Sequence, residues 1–112
     1  MKLELPYPPS INHYYFTARN GMRLIGAKGK VYRDEVFYLC KGKGRVGGKV
    51  KVVLEVYPPD KRKRDLDNVE KGLLDSLVYA NVIDDDFDID DKHTIRREKV
   101  KGGKIVVTIN SL

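Results

Sequence analysis

Hydrophobic and polar residues alternate most cleanly over Lys49 to Tyr57, where Val50, Val52, Leu54 and Val56 share one face before Pro58-Pro59 closes the run. A period of two bounded by a chain breaker predicts a strand with one buried face. Lys2 to Leu5 alternates in the same way and is stopped by Pro6 and then by Pro8-Pro9, which predicts a short N-terminal strand. From about Lys30 to Leu39 the period lengthens, and Tyr32, Val36, Leu39 and Cys40 recur at helical spacing. The strongest helical stripe starts at Asp65 or Asp67: Leu66, Val69, Leu73 and Leu77 line up, Leu74 and Val78 widen the stripe, and it ends near Ala80-Asn81.

Glycine marks the turns. Asn20-Gly21 lies between Tyr14-Tyr15-Phe16 and Met22-Arg23-Leu24-Ile25, which predicts a tight hairpin. Thr94 to Val100 and Lys104 to Ile109 flank Gly102-Gly103 and read as a second, C-terminal hairpin. Lys41 to Lys49 holds four glycines and four basic residues, a composition that gains little from ordering and predicts a mobile, positively charged loop. No internal repeat or second domain is visible. The expected fold is α/β of the α+β kind, a small mixed sheet with two main helices in a single domain spanning residues 1–112.

Composition narrows the class. At 112 residues the chain can bury a modest core, and a partner subunit would add to it. Hydrophobic residues make up 41% and charged residues 34%, which suits a globular protein rather than a disordered or membrane one. No apolar run approaches membrane-spanning length and the N-terminus lacks a signal-peptide stretch. Cys40 is the only cysteine, so an intramolecular disulfide and a multi-cysteine zinc site are excluded, and a reducing, cytoplasmic setting is expected. Cys40 itself should pack as a small hydrophobe.

Charge changes the picture more. Asp84, Asp85, Asp86, Asp88, Asp90 and Asp91 fall within eight positions with no basic residue among them, so the formal +6 of the chain becomes +12 outside this block. Such an excess of Lys and Arg favours a polyanionic partner, DNA or RNA. The basic run Lys61-Arg62-Lys63-Arg64 leads directly into Asp65-Leu66-Asp67-Asn68 at the start of the long helix. Two carboxylates there, with a third from the aspartate block, suit a hard divalent cation that keeps positions open for water and a phosphate oxygen. The pattern points to metal-dependent chemistry on nucleic acid.

Each feature also has a purely structural reading. Asp67-Asn-Val-Glu70 matches a capping box, and Asp65 would favour a helix N-terminus. Asp67, Lys71 and Asp75 share one helical face as i,i+4 neighbours, and an ordinary ion pair is the favoured role for Asp75. A basic run alone is more often a solvated cluster, but adjacent acidic residues reverse that preference. Asp84, Asp86 and Asp88 have EF-hand-like spacing, yet Ile89 stands where the turn glycine belongs and Ile95 where the bidentate glutamate belongs, so an EF-hand is rejected. Six clustered aspartates repel one another unless a cation or a basic partner offsets them. His13 and His93 are isolated and carry no expected role.

Across nearly its whole length the chain resembles the RusA family of Holliday junction resolvases, found in bacteria and their prophages. The resemblance rests on Leu5-Pro-Tyr-Pro-Pro-Ser10 with Asn12 and Tyr14-Tyr15, on Tyr32-Arg33-Asp34, on Arg64-Asp65-Leu66-Asp67-Asn68 with Lys71, and on Ile83-Asp84-Asp85. It implies that Asp65, Asp67 and Asp85 are the catalytic metal-binding aspartates, that Lys71 is an essential lysine, and that Asn68 and Arg64 are functionally important. It further implies a small mixed α/β homodimer that nicks a four-way DNA junction symmetrically with Mg²⁺, or Mn²⁺ in its place, and with no organic cofactor and no membrane partner. The chain departs from the family pattern in continuing Asp84-Asp85-Asp86 and in the acidic stretch Asp88 to Asp91. Asp84 is therefore the second choice for the third ligand, with Asp86 also open.

In this reading Lys71 neutralises charge on the phosphoryl oxygens or positions water. Lys61, Arg62, Lys63, Arg64 and Asn68 hold the DNA, the Lys41 to Lys49 loop with Lys28, Lys30 and Arg33 extends that surface, and such contacts weaken steeply with salt. Two alternatives remain at this point: a non-enzymatic nucleic-acid-binding protein whose aspartates only cap a helix, and a metal-dependent nuclease for other branched or single-stranded nucleic acid.

Overall fold

A computed structural model describes all of residues 1–112. Along the chain lie β1 (Lys2–Pro6), α1 (Ile11–Tyr14), β2 (Tyr15–Thr17), β3 (Arg23–Ile25), α2 (Ala27–Cys40), β4 (Val50–Tyr57), α3 (Asp67–Tyr79), a 3₁₀ turn (Asp86–Asp88), β5 (Ile89–Arg96) and β6 (Lys104–Ser111). Four strands form a mixed sheet in the order β1-β6-β4-β5, and β2 and β3 form a separate two-stranded ribbon. The mixed α/β class and both main helices agree with expectation. The Asn20-Gly21 hairpin is also present, as the β2–β3 ribbon, with Tyr15 opposite Ile25 and Thr17 opposite Arg23.

The C-terminal hairpin is not. β5 and β6 do not pair with each other: β4 lies between them, parallel to β5 and antiparallel to β6. The chain does turn at Gly102-Gly103, both at positive φ, but it steps across β4 to reach the next position in the sheet. β5 also begins at Ile89, inside the aspartate block and five residues earlier than the pattern suggested. Polar residues hide it. Lys92, Thr94 and Arg96 sit opposite Val52, Leu54 and Val56, the inward positions of β4, yet β5 is an edge strand, and Lys92 and Thr94 bond Glu70 of α3 while Arg96 bonds the Arg64 carbonyl before it.

One face of the sheet carries the core. Leu3, Leu5, Val50, Val52, Leu54, Val56, Ile105, Val107 and Ile109 are buried against Tyr32, Val36 and Cys40 of α2 and Val69, Leu73 and Leu77 of α3. Leu39 is an exception to the helical stripe read from the sequence, being exposed while Gly29 takes an inward place on α2. Cys40 is buried, and burial pushes its thiol upward from its ordinary value. The small-residue positions serve Tyr14, which is 1% exposed. Its ring lies in the space that a Cβ on Gly72 would occupy, and its hydroxyl and that of Ser76 are 2.6 Å apart.

The end of α3 sets the direction of the site. Asn81 adopts φ +61°, the Val82 N–H donates to the Leu77 carbonyl at 3.0 Å and the Asn81 N–H to that of Val78 at 3.0 Å. This is a Schellman closure. It buries Val82 and Ile83 and turns Asp84, Asp85 and Asp86 out to solvent.

At Gly29 an added Cβ would lie 2.3 Å from the Tyr14 carbonyl oxygen. In an open helix Gly→Ala gains about 1 kcal/mol, whereas overpacking costs about 1–3 kcal/mol. Gly29→Ala is therefore expected to lower the free energy of unfolding by roughly 1–2 kcal/mol in urea titration, and a stabilised variant would show that the α1–α2 contact is loose.

Candidate active site

Two clefts flank the first turns of α3. The smaller, about 320 Å³, runs along one face of the helix and is lined by Asp67, Glu70, Lys71, Asp75, Asp86 and Lys92 with Leu74 and Ile89. The larger, about 610 Å³, is lined by Asp65, the whole basic run Lys61 to Arg64, and Arg96 and Lys99, with Tyr7 at its wall. β5 supplies a wall to both, through Lys92 in one and Arg96 in the other. Asp65 and Asp67 thus open onto neighbouring clefts, with Leu66 between them.

Neither aspartate acts as a cap. The N-cap position of α3 is Leu66 and no side chain bonds the first turn, so the capping box does not form. Glu70, its expected partner, instead accepts a hydrogen bond from the Thr94 hydroxyl and pairs with Lys92 at 3.3 Å. The carboxylates of Asp65 and Asp67 are exposed and enter no hydrogen bond or ion pair of this chain, although the Asp65 carbonyl accepts the Asn68 N–H at 3.2 Å.

The aspartate block is mostly neutralised from within. Asp84 pairs with Arg45 and accepts the Gly48 N–H at 2.9 Å. Lys49 lies 3.7 Å from Asp88 and 3.6 Å from Asp90, Lys51 lies 4.0 Å from Asp91, and His93 lies 2.9 Å from Asp91. The glycine-rich loop, expected to be mobile and to extend the DNA surface, is tied to this block and also bonds Val82 through the Val46 N–H at 2.8 Å. The cation that offsets most of the block is therefore the chain's own. The stretch Asp88 to Asp91 runs from a 3₁₀ turn into a strand, which also disposes of an EF-hand loop.

Asp85 and Asp86 are left over. Asp85 accepts the Phe87 N–H at 3.4 Å, and a hydrogen bond between the two carboxyls pulls Asp85 below its ordinary value and pushes Asp86 above it. Of the three candidates for the third ligand, Asp84 is held by Arg45, Asp85 is exposed, accepts the Phe87 N–H and lines neither cleft, and Asp86 lines the cleft with Asp67 and Lys71. No three His, Cys, Asp or Glu side chains are gathered closely enough to hold a metal ion.

Lys71 is oriented by its neighbours. Its Nζ lies 3.2 and 3.1 Å from the two Asp75 carboxylate oxygens, the i,i+4 pair expected from the sequence. Asp75 also accepts a hydrogen bond from the Tyr15 hydroxyl, and burial followed by that bond raises the Tyr15 phenol above its ordinary value. Tyr15 packs on buried Tyr14 with ring centroids 4.6 Å apart, so a half-buried phenol held by the core fixes the lysine's partner. Tyr15, Asp75 and Lys92 have no part in the site on sequence grounds, and Asp86 is open there only as an alternative third ligand. For Tyr15 and Asp75, the adjacency of a doubled tyrosine and an i,i+4 ladder was the only signal.

The basic run is less free than it reads. Asp60 lies 2.6 and 3.0 Å from the Arg64 guanidinium and 3.1 Å from Arg62, and these bonds, Arg64's first, hold its carboxyl below the usual range. Lys61 and Lys63 remain unpaired. Arg96 donates to the Arg64 carbonyl and Lys99 joins the same groove, two cations not anticipated from the sequence. Asn68 is half-buried on the first turn of α3 and lines neither cleft. Arg33 lies over the Tyr79 ring at 4.1 Å, while Lys28 and Lys30 stay exposed. His13 bonds Ser10 at 3.0 Å and has no place in either cleft.

A family model described as "Endodeoxyribonuclease RusA" matches residues 6–110. The chain belongs to the RusA family of endodeoxyribonucleases. Among its relatives, the crossover junction endodeoxyribonuclease of Enterobacteria phage HK97 is 42% identical over 96% of this chain and 92% of its own. The RusA proteins of Enterobacteria phage 82 and Escherichia coli strain K12 are 38% and 36% identical, each over 98% of this chain and 93% of theirs. No helix of this RusA-family protein is long and apolar enough to cross a membrane.

The Asp85–Asp86 pair gives a pH test. A carboxyl whose folded value is raised contributes stability below its unfolded value and loses it as pH rises through the folded one; Asp85, depressed, behaves in the opposite sense. Asp86→Asn keeps a donor toward Asp85 and removes a like charge. In EDTA the variant is expected to melt above wild type at pH 7, the gap closing below about pH 4. Equal melting at pH 7 would show that the two carboxyls do not strain one another.

Proposed function

We propose that this RusA-family endodeoxyribonuclease resolves four-way DNA junctions by paired, symmetric, Mg²⁺-dependent phosphodiester hydrolysis during recombination and repair, acting in the cytoplasm. The single observation that carries the site assignment is that Asp67 and Asp86, neither of them paired with a basic side chain, line one cleft with Lys71, with Asp65 opening onto the adjoining groove, when other aspartates of the 84–91 block are set against Arg45, Lys49 and Lys51. An all-oxygen, anionic donor set suits a hard divalent cation, Mg²⁺ or Mn²⁺. The Asp86 carboxyl is held above its ordinary value first by its hydrogen bond to Asp85, then by burial and by that neighbour's charge, and a cation would oppose the shift.

Asp67 and Asp86 would hold the ion from the cleft they share, with Asp65 and Asp85 drawn in from beside it on binding. When bound, it supplies Lewis acidity at the scissile phosphate and lowers the pKa of water. The protein's own groups do the rest. Lys71 faces the same cleft and offsets charge that develops on the phosphoryl oxygens, with Asp75 and Tyr15 fixing where its ammonium sits. Lys61, Lys63, Arg96 and Lys99 line the adjoining groove, where they hold the phosphate backbone by contacts that weaken steeply with salt. Arg62 and Arg64 reach DNA only to the extent that they share their guanidinium donors with Asp60.

A four-way junction has approximate two-fold symmetry, so a homodimer would present one site to each of two opposed strands. Full activity of a monomer would count against this arrangement.

The deciding experiment is incision of a labelled synthetic four-way junction against linear duplex, in Mg²⁺ or EDTA. Symmetric nicks confined to the junction and to Mg²⁺ are expected, with Asp67→Asn and Lys71→Ala lowering the incision rate by about 10²–10³ while junction binding in EDTA changes little. Binding without incision under any divalent ion would return the protein to the non-enzymatic class, and equal cutting of flaps or single strands would reassign the substrate.

A second expectation concerns Lys71's support. Asp75→Asn and Tyr15→Phe should each lower the rate at saturating junction by roughly tenfold with little change in affinity. A loss confined to affinity would mean that the pair only braces the fold.

A further inference from the structure

The β2–β3 ribbon has two unlike faces. Tyr15 and Ile25, paired across it, pack against the core, and through Asp75 this face leads to Lys71. Successive strand residues point to opposite faces, so the other face carries Phe16 and Leu24, also cross-strand partners, with Met22 two residues before Leu24 on the same side. These three are 51%, 38% and 57% exposed. A ribbon only three residue pairs long thus holds its largest apolar side chains in solvent, on the side away from the core.

The charge around this face says what it would meet. Residues 15–33 contain Arg19, Arg23, Lys28, Lys30 and Arg33 and no acidic residue. Arg19, Lys28 and Lys30 are exposed and none of them forms an ion pair within the chain. Against a second copy of the same face this field would place like charges together, which opposes self-association. Against nucleic acid it is complementary, and an apolar side chain flanked by cations matches the way proteins stack on unpaired bases or wedge open a base step.

We propose that the exposed face of the β2–β3 ribbon is a base-stacking platform for the branch point of the DNA substrate, Phe16 and Met22 contacting bases that are unstacked there while Arg19, at the turn of the ribbon, holds the adjoining phosphate; Arg23 lies on the other face, over the Tyr15 ring. The inference rests on the junction-resolving reading above and deepens it, because the opposite face of the same ribbon positions the partner of the active-site lysine. Fully stacked linear duplex offers no free base face, so the platform favours branched over linear DNA.

The test uses a synthetic four-way junction carrying 2-aminopurine beside the branch point, bound in EDTA by the full chain. Wild-type protein is expected to raise the fluorescence, reporting unstacking. The double variant Phe16→Ala, Met22→Ala should lose most of that rise and bind the junction about tenfold more weakly, with affinity for a linear duplex changed less than about twofold. Phe16→Tyr, which keeps an aromatic face, should retain the wild-type signal. Any of four results overturns the proposal: no fluorescence rise with wild type, unchanged junction binding by the double variant, an equal loss on linear duplex, or a change of oligomeric state on substitution, which would make the face a contact between copies. Failure of the junction-resolving reading is seen separately, as absence of Mg²⁺-dependent incision by the wild-type protein. If wild type cuts the junction and the double variant cuts and binds it equally well, only the platform is lost.

Discussion

β4 runs parallel to β5 and antiparallel to β6, and most of the architecture follows from that placement. Two parallel neighbours cannot be joined by a tight turn, so the chain must leave the sheet, cross its face and return, and α3 is that crossing. The basic run and Asp65-Leu-Asp67 occupy the outbound connection, and Asp84 to Asp88 occupy the return. The Schellman closure at Asn81 then folds the return along the helix, so that Asp86 comes to line a cleft with Asp67 although a helix about 20 Å long separates their segments in the chain. Edge strand β5 walls the two clefts, which is why its inward positions are Lys92, Thr94 and Arg96 rather than the aliphatic residues that fill β4.

Electrostatics sorts the residues that this topology gathers. The chain carries an acidic block and an excess of basic residues, and the fold sets much of one against the other: Arg45 against Asp84, Lys49 against Asp88 and Asp90, Lys51 against Asp91. These pairs are largely exposed, and exposed ion pairs contribute little to stability. Their consequence lies in what they leave unneutralised. Asp65, Asp67, Asp85 and Asp86 find no basic partner, and Lys61 and Lys63 find no acidic one. Unpaired anions beside a lysine, next to a groove lined by unpaired cations, suit a metal-assisted reaction on a phosphodiester. Behind them Tyr14, locked between Gly29 and Gly72, supports Tyr15, Asp75 and Lys71 in turn, so the rigidity of the core reaches the site through packed rings and hydrogen bonds.

The hydrophobic pattern by itself determined β1, β4, α2 and α3, because each buries one face on one core and so displays its period directly. Individual residues determined the Asn20-Gly21 turn, a matter of local backbone freedom, and the resemblance to the family, carried by Arg64-Asp65-Leu66-Asp67-Asn68 and its companions. Only the tertiary structure decided what depends on contacts between distant segments. The partner of β6 is one such case: Gly102-Gly103 looks like a hairpin turn whether the chain folds back on β5 or steps over β4, since a turn fixes local direction and not the neighbour. The fate of each charge is another. Residues 41–49 read as free cations and Asp84 to Asp91 as free anions, because sequence records charge but not distance, and Coulomb interactions are set by distance and local dielectric. The same holds for the third acidic residue of the site. Asp84, Asp85 and Asp86 are chemically identical in the sequence, and it is the position of Arg45, the Phe87 amide and the open cleft that makes them three different groups.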